Sequence, residues 1–240
     1  MQETFYTITT KKNIAPFTVA LIADLHGTPV QPLLNSLQKH RPDLIAIAGD
    51  LRIGEPAPYP LEFLSQCAGL ARTYYSLGNH EKTMSETDKK KIASAGVTVL
   101  DNAWTCWEEN IFVGGLTSPY VLLWRQTGRD TRRRMPPETA WLDTFEKQDG
   151  FRLLLDHHPE NYPGITKNRN IDLILSGHAH GGQIRINGRG LFAPGQGFFP
   201  QYTGGVYDSR LVVSRGLANT TFIPRINNPP ELVYISVLPE

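Results

Sequence analysis

Short, unbroken apolar runs recur along this chain, separated by amphipathic or polar stretches. Residues 4–10 alternate, with Phe5, Tyr6 and Ile8 among threonines, and predict an opening strand. Residues 17–23 are continuously apolar, the pattern of a strand covered on both faces. Similar runs at 44–48, 74–77, 97–100, 111–116, 152–155, 171–175, 211–214 and 232–237 predict further strands. Helical spacing appears at 32–40, through Leu33, Leu34 and Leu37 with Pro32 in the first turn. Residues 61–70, 85–95 and 139–147 are the other helix candidates, with Gly96 placed to end the third of these four.

The alternation of strand and helix argues for an α/β fold. The later strands, which follow one another without helices, suggest a second and more antiparallel sheet. Residues 118–149 are the least regular part, and 181–205, rich in glycine and aromatics, predict a loop or hairpin region. No internal repeat or linker interrupts the chain, so a single domain over residues 1–240 is expected.

Five of the apolar runs end in polar clusters. These are Asp24 with His26, Asp50, Asn79 with His80, His157, and His178 with His180. In open α/β sheets, ligands collect at the carboxyl ends of the strands, so the five clusters predict one site. Of the seven histidines, only His40 and His158 fall outside them. Two aspartates, one asparagine and several histidines are too many for a single four-coordinate zinc. They suit two divalent ions roughly 3.5–4 Å apart that share a carboxylate. Mixed imidazole and carboxylate donors point to Mn, Fe or Zn rather than Ca. Water between two such cations ionises near neutral pH, which makes it a nucleophile for phosphorus.

Asp24-Leu25-His26, Gly49-Asp50, Gly78-Asn79-His80-Glu81, His157 and Gly177-His178-Ala179-His180 together resemble the calcineurin-like metallophosphoesterase superfamily in order and spacing. Gly181-Gly182-Gln183-Ile184-Arg185, Ser214-Arg215-Gly216-Leu217 and Asn227-Asn228-Pro229-Pro230-Glu231 add a looser similarity to the bacterial YkuE/YaeI-type branch of phosphodiesterases. That branch is similar to some UDP-2,3-diacylglucosamine pyrophosphatases. The resemblance implies a four-layer α/β/β/α sandwich of two mixed sheets flanked by helices. It implies that Asp24, His26 and His180 hold one ion, that Asn79, His157 and His178 hold the other, and that Asp50 bridges them. His80 is implied as the general acid facing the leaving oxygen.

Some positions keep two readings. Glu81 either orients the site or is solvent-exposed. His157 and His158 are adjacent, so only one faces the ions; the family pattern selects His157 and leaves His158 to a loop or the substrate pocket. Asp156 reads as a turn residue and His40 as a surface or capping histidine. Arg132, Arg133 and Arg134 form either a solvated loop or a phosphate-binding cluster overhanging the site. Trp104, Trp107 and Trp124 read as core or rim packing rather than a base-stacking platform.

The formal net charge of +1 and pI near 7.8 argue against a nucleic-acid binder. The expected substrate is a small phosphodiester, a nucleotide-sugar or a lipid-linked phosphoester. Peripheral membrane contact and the oligomeric state stay open. Cys67 and Cys106, at unrelated spacing, predict two buried or half-buried free thiols in a reducing compartment. No signal peptide opens the chain and no apolar run approaches the roughly 20 residues of a membrane span, so a cytoplasmic protein is expected, with a trimmed leader left open. The leading reading is a dinuclear-metal phosphodiesterase or pyrophosphatase. The alternatives are a non-catalytic metal-binding scaffold on the same fold and a nuclease of the same superfamily.

Overall fold

Two six-stranded mixed sheets pack face to face in a computed structural model that describes residues 1–53, 57–129, 135–219 and 223–240. The chain runs β1 (Gln2–Thr10), β2 (Phe17–Ile22), α1 (Gln31–His40), β3 (Leu44–Ala48), α2 (Leu61–Leu70), β4 (Arg72–Ser76), α3 (Glu86–Ser94) and β5 (Thr98–Leu100). It continues with β6 (Ala103–Glu108), β7 (Ile111–Leu116), α4 (Pro119–Thr127), α5 (Leu142–Phe145), β8 (Phe151–Asp156) and β9 (Leu173–Ser176). Two small hairpins follow, β10 (Arg185–Ile186) with β11 (Arg189–Gly190), and β12 (Phe192–Ala193) with β13 (Gly197–Phe198). The chain closes with β14 (Gly205–Tyr207), β15 (Leu211–Val213) and β16 (Glu231–Pro239).

The first sheet has the order β1-β16-β2-β3-β4-β5 and the second β14-β15-β9-β8-β7-β6. Three hydrophobic clusters separate four layers. The first, between the sheets, takes Val19, Leu21, Ala46 and Tyr74 from one and Val113, Leu153, Leu175 and Val212 from the other. The second lies between the first sheet and its helices, where Ala20, Ile22, Ile45 and Ile47 meet Leu33, Leu37, Phe63 and Leu64. The third covers the outer face of the second sheet with Leu142, Phe145 and Tyr162. Successive residues of β2 therefore bury on opposite faces. That is why the strand reads as a continuous apolar run rather than an alternation.

The second sheet is the more antiparallel of the two, as the sequence suggests, with two antiparallel pairings against one in the first, but both lie at its edges. Its inner strands β7, β8, β9 and β15 are parallel, and only the edge strands β6 and β14 run against their neighbours. The structure departs from the sequence reading in several places. Helix α4 forms inside the stretch read as irregular, with Ser118 as N-cap, Pro119 in the first turn and Gly128 closing it in the left-handed conformation. Strand β6 was not anticipated, because Trp104, Cys106 and Trp107 give it no clear alternation. Helix α5 spans four residues instead of nine. Cys67 is buried, and burial pushes its thiol up to about 12, whereas Cys106 is exposed rather than half-buried. Among the described residues, no helix is long and apolar enough to cross a membrane. Arg132, Arg133 and Arg134 lie outside the described residues.

Candidate active site

Strands β2, β3 and β4 of the first sheet are parallel neighbours, as are β8 and β9 of the second. All five finish at the same end of the sandwich, and the residues just past those ends converge. Asp24, His26, Asp50, His178 and His180 all hold positive φ, between 42° and 64°. Such a conformation costs a non-glycine residue of order 1–3 kcal/mol, and it aims each side chain back over the strand ends.

Donor atoms bound about 2.1 Å from a common ion lie roughly 3.0–3.5 Å apart. Here Asp50 Oδ2 lies 3.2 Å from His157 Nε2 and 3.5 Å from His26 Nε2. Asp24 Oδ1 lies 3.7 Å from His180 Nε2 and 3.9 Å from both His26 Nε2 and His157 Nε2. Four clusters of potential metal donors result among the described residues: Asp24, His26 and His180; Asp50, His157 and His178; His26, Asp50 and His80; and His158, Glu160 and His178. Asp50 belongs to two of them.

The histidine rings are oriented from behind. His26 Nδ1 faces the Arg52 carbonyl at 2.9 Å, and His157 Nδ1 faces the Ala48 carbonyl at 2.7 Å. His180 Nδ1 faces the Ala218 carbonyl at 3.3 Å. A carbonyl only accepts, so Nδ1 of His26 and of His157 carries the proton and Nε2 turns a lone pair inward, the arrangement of metal-ligating histidines, whereas His180 Nδ1 also faces the Arg225 guanidinium at 3.5 Å. His26 Nε2, His157 Nε2 and Asn79 Oδ1 are buried without a hydrogen-bond partner. Orphaned inward lone pairs beside two carboxylates are costly in an empty apolar site and fit a cation. Despite burial, Asp50 and then Asp24 push the His157 imidazole up to about 10, the mark of a pocket that favours positive charge.

Glu81 settles its two readings in favour of orientation. It is fully buried, and its carboxylate accepts from the backbone N–H groups of Asp50 (2.8 Å), Gly78 (2.8 Å) and Leu51 (3.1 Å). Burial first, then Asp50, pushes this carboxyl up. Asp50 Oδ1 in turn accepts from the His80 N–H at 2.9 Å. His80 is the more open ring, with a side chain 30% exposed and Nε2 4.0 Å from Asp50 Oδ2.

His158 sits against His178, with ring centroids 4.2 Å apart, and shares the fourth cluster with it and Glu160. It is buried, with Nε2 2.8 Å from Ser118 Oγ and Nδ1 3.3 Å from Glu160 Oε1. Asp156 is structural: it accepts from His158 N–H and the Asn161 amide. Burial pushes its carboxyl up to about 7. His40 lies far from the site and bonds Glu3 at 2.9 Å.

Two contributors, Glu160 and Arg225, were missed by sequence reasoning, and a third, Gly216, was read only as part of a family-like tail motif. Glu160 Oε1 lies 3.7 Å from His178 Nε2, and its place two residues beyond His158 was the available hint. Arg225 donates to the carbonyls of Ala218 and Arg215, bracing the loop behind His180, and no sequence signal marked it. Gly216, at φ 71°, packs so closely on Asp24 that a Cβ there would fall 2.6 Å from Oδ2.

Residues 17–182 match the family model for Metallophos, calcineurin-like phosphoesterase. The chain belongs to the calcineurin-like phosphoesterase family. The matched span runs from the first residue of β2 to just past His180 and contains every residue of the four donor clusters. As a member of this family the chain is a metal-dependent phosphoester hydrolase. It is 29% identical to the phosphodiesterase YaeI of Escherichia coli K12, over 95% of this chain and 84% of that one. It is 28% identical to the YpbG protein of Bacillus subtilis 168, over 94% and 83%. A metallophosphoesterase of Helicobacter pylori 26695 is 25% identical, over 92% of this chain and 60% of its own length.

Proposed function

We propose that this calcineurin-like phosphoesterase is a phosphodiesterase or pyrophosphatase that works with two divalent cations, of Mn, Fe or Zn. The observation that carries the reading is the double membership of Asp50, whose carboxylate stands in one donor cluster with His157 and His178 and in another with His26. Asp24, His26 and His180 would hold one ion, Asn79, His157 and His178 the other, and Asp50 both. When bound, the pair supplies an acidic water as nucleophile and neutralises the phosphoryl oxygens.

The chain's own residues do the rest. The Arg52 and Ala48 carbonyls keep the His26 and His157 imidazoles in the tautomer that presents Nε2. Glu81 holds the backbone of Asp50, and the His80 N–H holds one oxygen of its carboxylate. His80, exposed on the cavity side, gives a proton to the departing oxygen. The likeness to YaeI, named a phosphodiesterase, supports a diester rather than a monoester. A scaffold without catalysis is disfavoured, since the chain retains the implied ligand set and His80.

The test pairs metal analysis with hydrolysis of bis(p-nitrophenyl) phosphate. Wild-type protein is expected to carry about two ions per chain. Asp50→Asn should lower that content, and His80→Ala should keep it while losing roughly 10²–10⁴-fold in kcat toward an alkyl diester assayed in parallel and much less toward the nitrophenyl diester, whose leaving group needs no proton. Full activity in Asp50→Asn, or one ion in the active wild type, defeats the reading.

A further inference from the structure

Beside His80 opens a cavity of about 740 Å³, lined among others by Asn79, Lys82, Tyr120, Trp124 and His178. That volume suits one small-molecule substituent. Its aromatic wall comes from α4, the helix inside the supposedly irregular segment. Tyr120 and Trp124 are four residues apart, so they stand side by side on one helix face. Both are half-buried, with Trp124 open toward the cavity. Trp104 and Trp107, by contrast, pack on Phe112, Phe145 and Phe17 as the sequence suggested. Lys82 Nζ rests 5.5 Å from the centre of the Trp124 ring. The other walls are Ile53, Thr83 and the Pro194–Gly195 turn between β12 and β13, so aliphatic surface is sparse.

Asn79, His80 and His178 from the strand ends line this cavity together with two aromatic residues of one helix. Lys82 lines it too and brings a positive charge on a flexible stem, suited to a phosphate. Aromatic rings bind flat π-systems without regard to their hydrogen-bonding pattern, at about 1–3 kcal/mol per stacked base. An acyl chain would instead need a long aliphatic groove, which these residues do not make. We propose that the cavity receives the planar base of a nucleoside attached to the scissile phosphate, with Tyr120 and Trp124 as its platform and Lys82 beside the phosphate. This inference rests on the hydrolase reading and narrows its substrate class to nucleoside-bearing phosphoesters.

Binding of AMP, UMP, phenyl phosphate and ribose 5-phosphate to the Mn-loaded protein, measured by calorimetry, tests it without recourse to turnover. AMP and UMP should bind at least tenfold more tightly than ribose 5-phosphate, which has the same phosphate and sugar but no base. Phenyl phosphate separates a general preference for flat rings from recognition of the nucleoside: it should fall below AMP and UMP. Trp124→Leu should shrink the base-dependent advantage several-fold, Tyr120→Leu should do so independently, and Trp124→Phe should restore most of it. Equal affinity for AMP and ribose 5-phosphate overturns the proposal, as does an advantage that survives both leucine variants, or a phenyl phosphate that binds as tightly as the nucleotides. If the protein hydrolyses aryl phosphodiesters yet ignores the base, this inference fails while the hydrolase reading stands. If it binds the bases but hydrolyses no diester, the hydrolase reading fails.

Discussion

The Glu81 carboxylate accepts the backbone N–H of Asp50 at 2.8 Å, and through it the carboxylate shared by two donor clusters is held in place. Glu81 itself touches no reacting atom. It is a positioning residue, because the strand-end turn that carries Asp50 at φ 57° relies on a buried acceptor to satisfy three N–H groups.

Glu81→Gln would turn an N–H₂ group toward those donors. Supporting groups of this kind are typically worth 10–100-fold in metal affinity. The variant should bind Mn about that much more weakly in a calorimetric titration, with kcat recovering in part at saturating metal. Unchanged Mn affinity would remove the positioning role.

Gly216 is expected to be intolerant of a side chain for two separable reasons. Its left-handed φ of 71° costs any L-residue of order 1 kcal/mol, and its Cβ would also press on Asp24. Gly188, at φ 78° with open space around it, pays only the first cost. Gly188→Ala should lower stability by about 1 kcal/mol and leave hydrolysis intact. Gly216→Ala should lose more stability and most of the activity. Equal behaviour of the two variants in thermal melts and assays would show that the contact with Asp24 is unimportant.

The buried Arg152 guanidinium is paired to Asp172 at 2.9 Å and donates to the carbonyls of Glu146 and Gln148, tying the end of α5 to the second sheet. Removing the acid strands a buried charge. Asp172→Ala should cost about 3 kcal/mol in urea unfolding. Asp143→Ala, which breaks a far more exposed pair with Arg169, should cost under about 1 kcal/mol. Similar losses at both sites would contradict the burial argument.

Glu3 predicts a pH dependence remote from the metal donors. The hydrogen bond from Ser36, then that from His40, lowers its carboxyl from 4.5 to about 2. A carboxyl depressed on folding contributes stability in full above its unfolded value and loses it as pH falls through the folded one. Wild type should therefore exceed Glu3→Gln in stability at pH 5 and above, by less than about 1 kcal/mol given the exposure of the pair. The two should converge between pH 4.5 and about 2. A gap that persists at pH 2 would assign the effect to packing.

The α/β class and the strands that carry the site were legible from the sequence, because strands buried on both faces must be continuously apolar and the site residues follow directly on their ends. Asp24, Asp50, His157 and His180 could be named by their place after those runs, and the structure brings them to one end of the sandwich. The donor positions were visible because chemistry there demands particular residue types at particular chain positions. Helix α4 was not read, although Ser118, Pro119 and Gly128 mark both of its ends, since its sequence has weak amphipathic spacing and arginines surround it. Which neighbours complete the site was decided only in three dimensions. Arg225 and the carbonyls of Arg52, Ala48 and Ala218 act through backbone positions or at long sequence separation, and neither leaves a trace in local pattern, while the motif around Gly216 gave no hint of its contact with Asp24. Likewise, the cavity beside His80 exists because α4 and the β12–β13 turn, remote in sequence, pack around the strand ends, and no periodicity along the chain encodes that meeting.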